Sequence, residues 1–246
     1  MTTTSATATA VVIGVGAERG LGATLCRRFA GRDLHVVVAG RTPAKVEAVA
    51  ASIRAVGGQA TAVTTDTTDE AQVIELFERA EAIAPIDLAV FNAGNNMPGD
   101  LRTMEAAYFE KCWRICCYGG FRFGRETARR MAPRGRGTLL FTGASASMRG
   151  KPYFAAFTAA KAGLRAFAQS MAREFQPQGI HVAHVVIDGG IDGDRLVLGR
   201  PDFAQAAGEE GLISLDGIAD IYELMYRQPR TAWSHEIDVR TFKESF

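Results

Sequence analysis

The chain is predicted to be an α/β protein, a doubly wound parallel sheet with helices on both faces. Three observations carry that expectation. Short β-rich apolar runs alternate with longer segments of helical period, the first run passes through a glycine-rich turn into an amphipathic helix, and 246 residues at 47% hydrophobic content supply the core of one domain.

In chain order, "AVVIGV" reads as the first strand and leads to a helix near Leu21; "HVVVAG" is the second, with a helix near Pro43. "TAVTTD" precedes a helix near Asp69, "DLAVFNAG" a long helix near Met104, and "GTLLFTG" a helix near Tyr153. "IHVAHVVI" is the sixth strand and "HEIDV" a weaker seventh. Right-handed crossovers then put ligands outside the carboxyl ends of the strands. Residues 1–9 read as a disordered polar tail and 10–246 as one domain. Residues 188–215, Gly-rich and aperiodic, read either as a substrate-covering loop with short helices or as a surface excursion.

The net charge of +1, from 28 basic and 27 acidic residues, offers no field for nucleic acid or anionic membrane. The start "MTTTSATATA" has neither a basic nor an apolar leader region, and no apolar run spans a membrane, so a soluble cytoplasmic protein is expected. The four cysteines, Cys26, Cys112, Cys116 and Cys117, fall in helical segments and read as reduced thiols without a metal.

In "VVIGVGAERGLGATLCRRFA" the glycines Gly16, Gly20 and Gly22 permit a tight turn and let the amides at the helix start, Leu21 included, approach a diphosphate. The second strand ends at Gly40, where a carboxylate would hold a ribose 2'-hydroxyl. Arg41 beside it and Arg19 in the turn suit a 2'-phosphate instead, so NADP(H) is expected over NAD(H). Asp66 either binds an adenine amino group or caps the next helix with Asp69.

With "GAERGLG", "FNAG" at Phe91 to Gly94, and a lysine in the helix after the fifth strand, the chain resembles the short-chain dehydrogenase/reductase family over nearly its whole length. The resemblance implies a single Rossmann-type domain with a seven-stranded sheet, a homodimer or homotetramer, and hydride transfer between a nicotinamide and a small carbonyl or alcohol. It also implies that Asn92, Ala93 and Gly94 support the cofactor and that Lys161 holds the nicotinamide ribose. The family's tyrosine falls on Phe157, its serine on Ala144 (or Ser145 after a one-residue shift), its asparagine on Cys117, and its Pro-Gly on Asp188-Gly189.

A positioned acid contributes about 100-fold to 10,000-fold to such a reaction, and a phenyl ring supplies none of it. Tyr153, Ser145 and Ser147 are the nearby hydroxyls, so the expectation is an active enzyme with Lys161, Tyr153 and Ser145 at its centre; the alternative is a regulatory NADP(H)-binding protein without turnover. Tyr153 reads more readily as a helix-start aromatic packed on the surface. His181 and His184 should face opposite sides of the sixth strand. A Ser-His-acid hydrolase using His235 and Glu236 is set aside because G-x-S-x-G is missing. Arg122, Arg125, Arg129, Arg130, Arg134 and Arg136 read as a solvated helix flank. The apolar residues Phe109, Trp113, Cys116, Phe121, Phe154, Phe157 and Phe167 read as a helix-pair interface between subunits.

Overall fold

Strand β1 (Ala8–Ile13) is apolar on both faces, and that places it in the middle of the sheet. In the computed structural model, which describes residues 7–245, Ala10 and Val12 enter one core and Val11 and Ile13 the other, following the two-residue period of a strand. Strands β2 (Leu34–Gly40), β3 (Ala60–Thr64), β4 (Ile86–Phe91), β5 (Gly137–Thr142), β6 (Ile180–Ile187) and β7 (Glu236–Val239) join it in the order β3-β2-β1-β4-β5-β6-β7. All six pairings are parallel. The predicted seven-stranded doubly wound fold is therefore present. The order reverses between β1 and β4, and a crevice opens there.

Helices α1 (Leu21–Ala30) and α2 (Pro43–Ala55) cover one face; α3 (Glu70–Ile83) covers the other. The long fourth helix begins as α4 (Ala106–Trp113), passes through a π-helical turn at Arg114–Tyr118, and continues as α5 (Gly119–Met131). Next come the short α6 (Ser145–Met148) and the long α7 (Ala155–Phe175). The segment after β6 carries α8 (Asp194–Val197) and α9 (Pro201–Ala207), then α10 (Leu215–Arg227), whose Ile218, Tyr222 and Met225 complete the first core.

Three expectations need correction. Ala8 and Thr9 belong to β1 rather than to a tail: Thr9 is fully buried, with its hydroxyl donating to the Ala84 carbonyl at 3.0 Å. Residues 1–6 of the expected tail lie outside the described residues. The arginines of α5 are not simply a solvated flank. Arg122 is buried and donates to the Thr67 carbonyl at 3.2 Å, and the buried Glu126 gathers Arg125, Arg129 and Arg130 at 3.4, 2.8 and 2.6 Å. Of the expected subunit-interface residues, Cys116 and Phe157 lie inside, in a small cluster with Cys112, Ala146 and Ala160.

The carboxyl ends of β5 and β6 are braced by a buried histidine. His184 Nδ1 meets Glu236 Oε2 at 2.9 Å, Nε2 lies 3.4 Å from Ser147 Oγ, and Arg165 grips both Glu236 oxygens at 2.7 Å. Burial pushes the His184 imidazole down to about 4 in spite of its carboxylate. An unfolded histidine, near 6.5, takes a proton that the folded chain refuses until about pH 4. Its contribution to stability is thus complete above about pH 6.5 and is lost as pH falls toward 4, by about 3 kcal/mol at the end of that window. In urea melts from pH 7 to 4.5, His184→Gln should flatten this decline relative to wild type; parallel declines would refute the assignment.

Candidate active site

The site begins where β1 ends. Gly14 has φ +92°, and a Cβ on it would fall 2.5 Å from the Ala93 nitrogen. Gly22, in the first turn of α1, packs so closely that a Cβ would lie 3.0 Å from both Gly14 O and Val15 Cα. Asn92 ties β4 to this turn: its N–H donates to Ile13 O at 2.9 Å and its Nδ2 to Gly14 O at 3.2 Å. The N-cap of α1 is Gly20, without a side-chain cap, and no acid stands in the first turn. Gly16 faces open space. The amides at the start of α1, from Leu21 on, therefore form a cradle with the chemistry of a diphosphate site, and the residues present fit a dinucleotide.

At the end of β2, Gly40 has no room for a side chain, because a Cβ would collide with the Val15 carbonyl oxygen. Arg41 is exposed and lines a cavity of about 290 Å³ with Asp66, Thr68, Glu110, Lys111, Arg114 and Ile115. Asp66 Oδ1 accepts from Thr68 N at 2.8 Å and Thr68 Oγ1 at 2.7 Å, so it shapes the turn before α3, while Asp69 is the N-cap. Arg19, expected to add a second cation for a 2'-phosphate, is ion-paired with Asp192 at 2.5 Å.

Lys161, on α7, is buried and donates to the Thr142 carbonyl at 2.7 Å; a Cβ on Gly94 would stand 3.9 Å from its nitrogen. Burial lowers its pKa, while Cys116 and Cys112 act in the other direction. Phe157, one turn earlier, has its ring centre 5.8 Å from the ammonium. The thiol facing Lys161 is Cys116, whereas Cys117 packs on α7 at Gly163. The two neighbouring thiols point apart within the π-turn at Arg114–Tyr118, which widens the angular spacing along the helix. Asn95 N donates to Cys116 Sγ at 3.3 Å, and Cys112 Sγ donates to Asn95 O at 3.2 Å. The Cys112 bond and the Lys161 charge hold the Cys116 thiol below its ordinary range against the effect of burial, while Cys112 is pushed up.

Ser145 opens α6 and bonds Asp188. Asp188 is fully buried and held by Arg149 at 2.8 and 3.0 Å and by Arg240 at 3.5 Å. Burial alone would raise its pKa, yet Arg149, Ser145 and Arg240 together keep it below the ordinary value. Tyr153, at φ +70°, is 63% exposed, and its carbonyl accepts from Gly99 N at 2.8 Å. Two residues were not among the expected ones. Arg195, on α8, donates to Gly94 O at 3.3 Å, and the phenol of Tyr108 donates to Met97 O at 2.9 Å while its ring packs on the cluster containing Phe157. No sequence motif marks either; the fold brings Arg195 to Gly94 from 101 positions away. Among the described residues no group of His, Cys, Asp or Glu could hold a metal ion, and no helix is long and apolar enough to cross a membrane.

The model of the short chain dehydrogenase family matches residues 10–195. The chain belongs to that family, whose members are oxidoreductases. A solved short-chain dehydrogenase from Rhodopseudomonas palustris is 36% identical, with 96% of this chain and 99% of that one covered at a TM-score of 0.83. A metagenomic short-chain oxidoreductase in complex with NADP is 25% identical over 96% of this chain and 99% of that one, TM-score 0.79. The cyclic-di-GMP-binding biofilm dispersal mediator protein of Escherichia coli is 31% identical over 74% of this chain and 73% of its own length.

The collision at Gly40 yields a stability test. Gly40→Asp should lower the unfolding free energy in urea by about 1–3 kcal/mol. An unchanged midpoint would mean that β2 relaxes away from Val15.

Proposed function

We propose that the protein is an NADP(H)-dependent oxidoreductase of a small carbonyl or alcohol, working with a rearranged proton supply. The observation that carries the cofactor preference is the packing of Gly40 against Val15, which leaves no space for the carboxylate that would select an unphosphorylated ribose, while Arg41 stands next to it. The solved relative bound to NADP supports the same reading.

A bound nicotinamide supplies or accepts the hydride. Gly16, Gly20, Leu21 and Gly22 hold the diphosphate through main-chain amides, and Asn92, Ala93 and Gly94 carry β4 up to the cofactor. Lys161 orients the nicotinamide ribose. Phe157 occupies the place of the family's tyrosine and moves no proton, so the oxyanion left by reduction draws its proton from a hydroxyl such as Ser145 or Tyr153, directly or through water. The exposure of Tyr153 and the burial of Lys161 make Tyr108 a third hydroxyl to test. Residues 188–215 cover the substrate, and the exposed Phe109 and Trp113, with Trp113 stacked on Tyr118 and Tyr118 on Phe121, form the face through which a homodimer or homotetramer assembles.

A second reading, a regulatory protein that binds NADP(H) without turnover, is favoured by the relative named as a biofilm dispersal mediator. Calorimetry should show NADPH binding more tightly than NADH. Over a panel of carbonyls, removing the true proton donor among Ser145→Ala, Tyr153→Phe and Tyr108→Phe should slow NADPH consumption by about 100-fold or more. Binding without consumption by any substrate would establish the regulatory reading instead.

A further inference from the structure

Arg19, one of the two cations assigned to the 2'-phosphate, already has partners. Its Nη2 lies 2.5 Å from Asp192 Oδ1 and its Nη1 3.9 Å from Asp194 Oδ1, while its carbonyl accepts from Asp194 N at 2.8 Å. Gly193, between the two acids, rests on the glycine turn: a Cβ there would stand 3.1 Å from Arg19 O and 3.7 Å from Gly20 Cα. The acids sit on a braced piece of chain. Ile191 pairs with Ile213, Asp192 N donates to Ile213 O at 2.9 Å, and Ile213 N donates to Gly190 O at 2.8 Å. The segment that follows β6 is thus fastened to the phosphate cradle through the same guanidinium that a phosphorylated ribose would use.

We infer that Asp192 and Asp194 tune the discrimination between phosphorylated and unphosphorylated dinucleotides by competing with the 2'-phosphate for Arg19. The inference rests on the NADP(H) reading and extends it to the substrate segment. A guanidinium spends its donors on one anion at a time when the two lie in different directions, so a 2'-phosphate must displace the carboxylates before it gains the second cation. Linkage makes the effect mutual: whatever the aspartates cost the 2'-phosphate, the 2'-phosphate costs the fastening of the 190–213 segment. A nucleotide without that phosphate leaves the ion pair intact. The alternative, that two acids near the cradle merely repel any diphosphate, predicts equal weakening of both nucleotides.

The test is calorimetric titration of NADPH and NADH into the full chain as wild type, as Asp192→Asn/Asp194→Asn, as Arg19→Ala, and as the triple variant. Asparagine keeps the main-chain bond from residue 194 to Arg19, and Asp192→Asn alone serves as a milder version. The paired substitution should tighten NADPH by roughly threefold to tenfold and leave NADH within about twofold. The gain should vanish in the Arg19→Ala background, as a thermodynamic cycle requires. Equal tightening of both nucleotides, or an unchanged NADPH-to-NADH ratio, overturns the inference while leaving the NADP(H) reading in place. If no folded variant binds NADPH, that reading fails and the inference with it.

Discussion

The turn from β1 into α1 runs against the end of β4 at a distance that admits only hydrogen on the α-carbon of Gly14, and Gly22 packs tightly on the turn behind it. Much of the molecule follows from this approach. It brings the uncapped start of α1 to the point where the strand order reverses, and it lets Asn92 bond the backbone of the turn rather than water. The same crowding one strand over, at Gly40 against Val15, fixes what can stand at the end of β2. Sterics between main chains therefore precede electrostatics here. The absence of a Cβ at Gly40 settles the absence of a charge there, and Arg41 acts on a rim whose shape is already decided.

Around the crevice most charges have a counter-charge. Asp188 is shared by Arg149 and Arg240, Glu236 is held by Arg165 and accepts a hydrogen bond from the neutral His184, and Arg19 faces Asp192 and Asp194. These pairs hold loops from distant parts of the chain against the strand ends, and removing one partner from a buried pair costs far more than the pair itself contributes. Lys161 is different. Its ammonium donates to a carbonyl, and the ionisable groups acting on it are Cys116, Cys112 and Arg195. Burial and Arg195 work against that ammonium and only the two thiols favour it, which leaves it sensitive to whatever enters the site.

The central strands were legible because their apolar runs are buried on both faces and bounded by turns; β6 is the run "IHVAHVVI" to the residue. The glycine turn, Asn92 and Lys161 were legible for the same reason, since each sits at a strand end or on a regular helix. Helix α10 escaped because Gly217 in its first turn and the aperiodic stretch before it hide the amphipathic pattern. That Cys116 turns toward Asn95 while Cys117 packs on α7 could not be read, because a π-turn leaves no mark in the sequence. Arg195 and the partners of Arg19 are long-range placements, set by the path of the segment after β6 and by no local spacing.

The polar centre thus contains three titratable groups, Lys161, Cys116 and Cys112, beside the Phe157 ring that offers none. A carboxamide in place of the thiol would be a fixed dipole. A thiol is an acid whose charge responds to its neighbours, first the hydrogen bond with Cys112 and then the Lys161 ammonium. Burial opposes charge on each group alone, and each lessens that penalty for the other.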